Sequence, residues 1–134
     1  MSQERNLVMI RMADPKTEPV REWCERNSTR NAFDEKILDY PTTKVLAAHS
    51  NGTVYAYMPV QGTAMIESIG LNVDVRPLEQ ATAVMELTKG AALLASNASC
   101  KELYFLASDE ITAEGAKRMG FSELPYRVFR MRLT

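Results

Sequence analysis

The dipeptide Asn51-Gly52 stands between TKVLAAHS (43–50) and TVYAYMPV (53–60), two runs rich in β-branched and aromatic residues. Asn-Gly accepts the positive φ that a two-residue hairpin turn needs at both central positions. The two runs are therefore expected to fold back on each other as antiparallel strands. Gln61-Gly62 turns the chain again, into TAMIESIGLNVDV (63–75), expected as one long strand that Pro77 stops. Val73 and Val75 share one side of that extended segment. Beyond it, apolar residues fall at 81, 84, 85, 88, 91, 92 and 95, with Thr88 counted as half-apolar, which predicts a helix of about 20 residues over 78–97. Three consecutive strands followed by a crossover helix imply a mixed sheet, antiparallel in its first half.

The flanking segments complete the pattern. NLVMIRMAD (6–14) reads as a first strand. Thr17 is placed to cap a helix with Pro19 in its first turn and with Val20, Trp23, Cys24 and Asn27 on one face. RNAFDEKILDY (30–40) reads as a short second helix with Phe33, Ile37 and Leu38 inward, ended by Pro41. KELYFLAS (101–108) is a fifth strand, TAEGAKRMG (112–120) a short helix stopped by Gly120, and YRVFRMRL (126–133) a sixth strand. The expected order is β-α-α-β-β-β-α-β-α-β in one domain spanning 1–134, with helices on both faces of an α/β (mixed α+β) sheet.

A net charge of -1 gives no electrostatic reason to expect nucleic acid or an anionic membrane as a partner. The apolar run near the N-terminus is too short for a signal segment or a membrane span, so a cytoplasmic location is expected. Cys24 and Cys100 read as two buried thiols rather than a disulfide.

At this length the order of elements resembles the GNAT superfamily of acyl-CoA-dependent N-acyltransferases. That family reads V-x-P-x-x-[RQ]-G-x-G-x-[GA] between its fourth strand and third helix. Here Val75, Pro77 and Gln80 match, while Ala81, Ala83 and Met85 replace the small glycine-type residues. Over its fourth helix the family reads N-x-x-A-x-x-L-Y-x-x-x-G-F. In this chain Asp109 stands for the Asn, Ala116 for the Tyr, and Gly120-Phe121 match. The element order covers essentially the whole chain and the motifs about a quarter of it. The resemblance implies acetyl-CoA or another acyl-CoA as co-substrate, bound in the cleft where the fourth and fifth strands splay apart. It places Val73, Val75, Gln80, Ala81, Ala83, Met85 and Asp109 at cofactor-binding positions. It also implies a small-molecule or peptide amine as acceptor, and a homodimer through the C-terminal strand.

Alanine keeps its N–H, so Ala81 and Ala83 remove no donor from a phosphate cradle, although each adds a Cβ. Alanine is also the best helix former, and ATAVMEL can be read as nothing more than a good helix start. Free N–H groups are expected between Glu79 and Ala83, with Met85 turned inward to the sheet.

The resemblance implies a carboxylate base near the fourth strand, and Glu67 is the natural candidate. Strand parity puts Glu67 with Met65, Ile69 and Leu71, where partial desolvation would raise its pKa. Ala116 cannot supply the proton that the family's Tyr gives; Tyr55, Tyr57, Tyr104 and Tyr126 remain as substitutes or as strand aromatics. His49 has no metal-ligand pattern around it. Two further readings stay open: the same fold without transferase activity, used as a ligand-binding or protein-interaction module, and a ferredoxin-like binding domain.

Overall fold

A computed structural model describes residues 7–27 and 33–133. It shows a mixed α/β chain with three helices, a three-stranded antiparallel sheet and a separate parallel pair. The antiparallel sheet has the order β1 (Met9–Ala13), β2 (Thr43–Ser50), β3 (Thr53–Gln61). β2 ends where the sequence places its end, and Asn51 and Gly52 take φ of 51° and 78°, the two positive values that a type I′ turn requires. His49 pairs with Val54 while Ala48 pairs with Ala56, so Tyr55 is the extra residue of a bulge beside the turn.

One face of this sheet is covered. Val45 is buried on β2, and against it pack Val20 of α1 (Val20–Asn27) and Leu38 of the 3-10 helix (Glu35–Asp39), with Ala13, Cys24, Phe33 and Tyr57 around them. Trp23 lies on Tyr57 with ring centroids 5.0 Å apart. The chain reaches α1 through a turn organised by Asp14, whose Oδ1 accepts the Lys16 N–H at 2.9 Å. Thr17 is therefore not the helix cap expected of it. Its hydroxyl donates back to the Asp14 carbonyl at 3.5 Å, and Pro19 precedes the helix, its carbonyl accepting from the Trp23 N–H. The expected second helix is a short 3-10 turn capped by Asp34; its expected start at 30–32, like the first residue of the expected first strand and the side chain of Asn27, lies outside the described residues. The other face of the sheet carries Ile10, Met12 and Met58, all more than half exposed. α1 and the 3-10 helix thus cover a single face, where the sequence suggests helices on both.

The long fourth strand is not formed. β4 is only Ala64–Ile66, and it pairs in parallel with β5 (Leu103–Phe105) instead of continuing the meander. Two local effects shorten it. Ser68 and Gly70 are weak strand residues, and the Asn72 side chain accepts the Asp74 N–H at 2.9 Å, closing an Asx turn where Val73 and Val75 were expected to be extended. The crossover from β4 to β5 is α2 (Pro77–Asn97), close to its predicted length. Its half-buried and buried positions 80, 84, 88, 91 and 95 form one stripe at helical spacing. Ala81, Met85 and Ala92, expected on that stripe, are exposed.

α2 and α3 (Glu110–Arg118) end alike. The N–H of Cys100 reaches the Ala95 carbonyl and that of Ser99 the Ser96 carbonyl; the N–H of Phe121 reaches Ala116 and that of Gly120 reaches Lys117. Both are Schellman closures. Gly120 supplies the required left-handed residue at φ 98°, whereas α2 uses Ser99 at φ 63°. Residues 126–133, expected as a sixth strand, form none, and Phe129, Met131 and Leu133 are each more than 80% exposed. Strand propensity becomes a strand only where a neighbouring edge accepts the backbone, and these residues pair with no strand among the described residues.

Candidate functional site

Two sites merit description: the junction where β4 leads into α2, and a cavity beside the parallel pair. At the junction the last ladder contact is the Leu106 N–H on the Ile66 carbonyl, stretched to 3.5 Å, and the two chains continue outside the ladder from there. Glu67 is the first residue past that point. Its side chain is exposed, as is that of Met65, so the partial burial expected from strand parity is not observed: parity has no meaning once the strand has ended. Ile69 is half-buried and Leu71 exposed.

Residues 67–76 then lead to the start of α2. Gln80 donates its side-chain N–H to the Asn72 carbonyl at 2.7 Å, which ties this loop to the helix. Arg76 is the N-cap and makes no side-chain cap bond; its guanidinium instead pairs with Glu79 at 2.7 Å. Pro77 occupies the first turn, where its missing N–H costs nothing. The Gln80 N–H already bonds the Arg76 carbonyl, so the groups without an intrahelical partner are those of Leu78 and Glu79. This corrects the expected range of 79–83. Ala81 and Ala83 lie inside the helix, their N–H groups taken by the ladder, and their side chains are exposed with that of Met85. The alanines, good helix formers, let the helix begin at Pro77, where glycines would favour an open loop.

Asp109, a position implied to bind cofactor, is the N-cap of α3. Its carboxylate accepts the Thr112 N–H at 2.8 Å, and this bond holds its pKa below the usual value. Ala116, in place of the family's Tyr, is buried.

The structure thus brings Val73, Val75 and Gln80 into one turn-and-helix corner with Arg76 and Glu79. Glu67 lies at the other end of the same loop, and Asp109 stands apart as a cap. Among the described residues no group of three His, Cys, Asp or Glu is placed to hold a metal, and no helix is long and apolar enough to cross a membrane. Cys24 and Cys100 are unpaired thiols, each half-buried where full burial was expected, and burial raises the pKa of Cys24.

A cluster that the sequence reading missed joins the two sheets. The Glu102 carboxylate accepts from the Tyr104 hydroxyl at 2.6 Å, the Gln61 side chain at 3.0 Å and the Tyr40 hydroxyl at 3.1 Å. Its backbone carbonyl accepts from the Thr63 hydroxyl at 2.9 Å. The Tyr104 hydroxyl is pushed well above its ordinary pKa, first by burial and then by the Glu102 carboxylate it donates to. One signal was available in the sequence: residues 102 and 104 of a strand share a face. The partners at 40 and 61 are too distant in sequence to foresee. Glu102 and Tyr104 line a cavity of about 760 Å³ bounded by the parallel pair, α2, α3 and the segment after α3.

No known protein family and no curated protein matches the chain. Solved structures do. An aminoglycoside N-acetyltransferase in complex with CoA is 16% identical with a TM-score of 0.36, covering 94% of this chain and 100% of that one. An aminoglycoside 6'-N-acetyltransferase from Acinetobacter haemolyticus is 18% identical at 0.35, covering 94% and 99%. A ribosomal-protein-alanine N-acetyltransferase from Brucella melitensis biovar Abortus 2308 is 14% identical at 0.34, covering 96% and 99%.

Proposed function

We propose that the chain is a GNAT-type acyltransferase that moves an acetyl or other acyl group from acyl-CoA to a primary amine on a small molecule or peptide. The observation that carries this reading is the corner itself. A parallel strand pair ends, and the crossover helix between its strands begins with no side-chain cap and with two N–H groups lacking intrahelical partners. Unpaired donors and aligned peptide dipoles favour an anion there. The Arg76 guanidinium lies at the same turn, where it would exchange its pairing with the Glu79 carboxylate for a phosphate oxygen. The residues fit a pyrophosphate group in donor type, held by the Leu78 and Glu79 N–H groups and Arg76 rather than by the glycine positions of the family pattern.

Transfer needs an amine placed against a thioester carbonyl and a base for its proton. Glu67, exposed beside the end of the ladder, takes one proton from the ammonium. The amine nitrogen then bonds to the carbonyl carbon and gives up its second proton to solvent, the carbon–sulfur bond breaks, and the thiolate leaves to be protonated from solvent, since Ala116 offers no acid. Acyl-CoA at a hundred times its dissociation constant should add about 2.7 kcal/mol of stability. For a chain of this size that raises the thermal midpoint by about 10 °C. No rise at millimolar acetyl-CoA would refute the transferase reading and leave a binding or interaction module.

A homodimer accompanies this reading. The outer sheet face exposes Ile10, Met12 and Met58, and the segment after α3 exposes Phe129, Met131 and Leu133. A second copy is the partner that pairs such a segment edge to edge.

A further inference from the structure

The cavity beside β5 plays no part in the acyl-CoA corner, and none of Glu67, Gln80, Ala81, Ala83, Met85 or Asp109 lines it. We infer that it binds an organic cation: a primary ammonium held at the Glu102 carboxylate, on an apolar or aromatic body that fills the remaining space.

Charge is the first argument. Every side-chain donor to the Glu102 carboxylate, from Tyr104, Gln61 and Tyr40, is neutral, so its negative charge is hydrogen-bonded but not balanced. No Lys or Arg forms an ion pair with it among the described residues. Lys117, also on the cavity wall, is already shared between Glu114 and Glu123, at 3.8 Å from each. A half-buried carboxylate on a residue that lines a largely apolar space, without a counterion among the described residues, gains most from a ligand that brings one.

Shape and lining are the second argument. A volume of 760 Å³ lies within the range of small-molecule sites, roughly 300–1,000 Å³. Phe105, Leu106, Ala116 and Phe121 make most of the wall apolar, and Tyr126 adds an aromatic ring suited to a cation. An arylalkylammonium satisfies both parts of this surface. A polyhydroxylated amino sugar does not, because its hydroxyls would lie unpaired against the apolar wall.

Glu67 does not line this cavity, so an ammonium held at Glu102 is a ligand distinct from the amine that Glu67 deprotonates, and its binding needs no acyl-CoA. The test therefore omits the co-substrate. The full chain is titrated with 2-phenylethylammonium and, in parallel, with neutral 2-phenylethanol, following binding by NMR chemical-shift changes of the Tyr104 and Phe121 rings. The ammonium should bind at least tenfold more tightly than the alcohol, and Glu102→Gln should erase that preference. Equal affinity for the two probes, no binding of the ammonium, or a preference that survives in Glu102→Gln overturns the inference. If Glu102→Gln fails to fold, the comparison of the two probes on the native chain decides alone. The thermal shift with acetyl-CoA is scored separately. Ammonium binding without that shift refutes only the transferase reading, and the shift without ammonium preference refutes only this site.

Discussion

Glu67 and Glu102 are both carboxylates near the parallel pair, and their surroundings differ. Glu67 is exposed beyond the last ladder bond, where a proton acceptor can exchange with water. Glu67→Gln should lower kcat by about two to four orders of magnitude while leaving the dissociation constant of acetyl-CoA unchanged. Steady-state rates beside a binding titration check this. Glu18 offers a prediction about acid stability. Its carboxyl is held at about 2, chiefly by the Arg11 guanidinium at 2.6 Å, with further bonds from the Asp14 N–H and the Tyr57 hydroxyl. A folded-state pKa depressed below the unfolded value of 4.5 contributes stability above that pH, and the contribution is lost as pH falls towards 2. Thermal midpoints of the native chain and Glu18→Gln should differ at pH 6 and converge near pH 2. Ser99 supplies a third test, since a non-glycine residue at φ 63° closes α2. Ser99→Gly should stabilise the chain by about 0.5–1 kcal/mol, read from a denaturant midpoint.

At the scale of elements, the proposed co-substrate site depends on the start of α2. Ala81→Gly with Ala83→Gly should cost up to about 2 kcal/mol of stability, because both positions lie in an exposed stretch of helix. The same change should raise affinity for acetyl-CoA by loosening the first turns and freeing further N–H groups. Unfolding curves paired with a titration would show both effects, and lower stability with unchanged affinity would confine the anion to Leu78, Glu79 and Arg76. Elements with strong local chemistry were legible in the sequence: the Asn51-Gly52 hairpin, the body of α2, and α3 with its Gly120 stop. Those that depend on a neighbour were not. β4 was read too long because alternation continues through Ile69 and Leu71, while the side-chain bond of Asn72 bends the chain just after them. The segment 126–133 has the alternation of a strand and pairs with no strand among the described residues. At the candidate site, Glu67 and the 73–80 corner were proposed through spacing and resemblance. Glu102 was missed because its partners come from residues 40 and 61, and only the fold brings them to β5.

Among the described residues the outer face of the antiparallel sheet and Phe129, Met131 and Leu133 after α3 are exposed, which is why a second copy belongs to the account. Light scattering after gel filtration should give about twice the 15.0 kDa chain mass. Deleting 126–133 should return the protein to the monomer or cause it to aggregate. The central claim, however, is chemical, and one measurement reaches it most directly. Purified chain and acetyl-CoA are mixed with each member of a panel of small-molecule and peptide amines, and free CoA thiol is followed against time beside acetylated amine. The account predicts that at least one amine gives equal amounts of thiol and N-acetyl product, formed at a rate that saturates in both substrates and falls at least a hundredfold in Glu67→Gln. Saturable acetyl-CoA binding with no thiol release above the enzyme-free rate, for any amine of the panel, would contradict it.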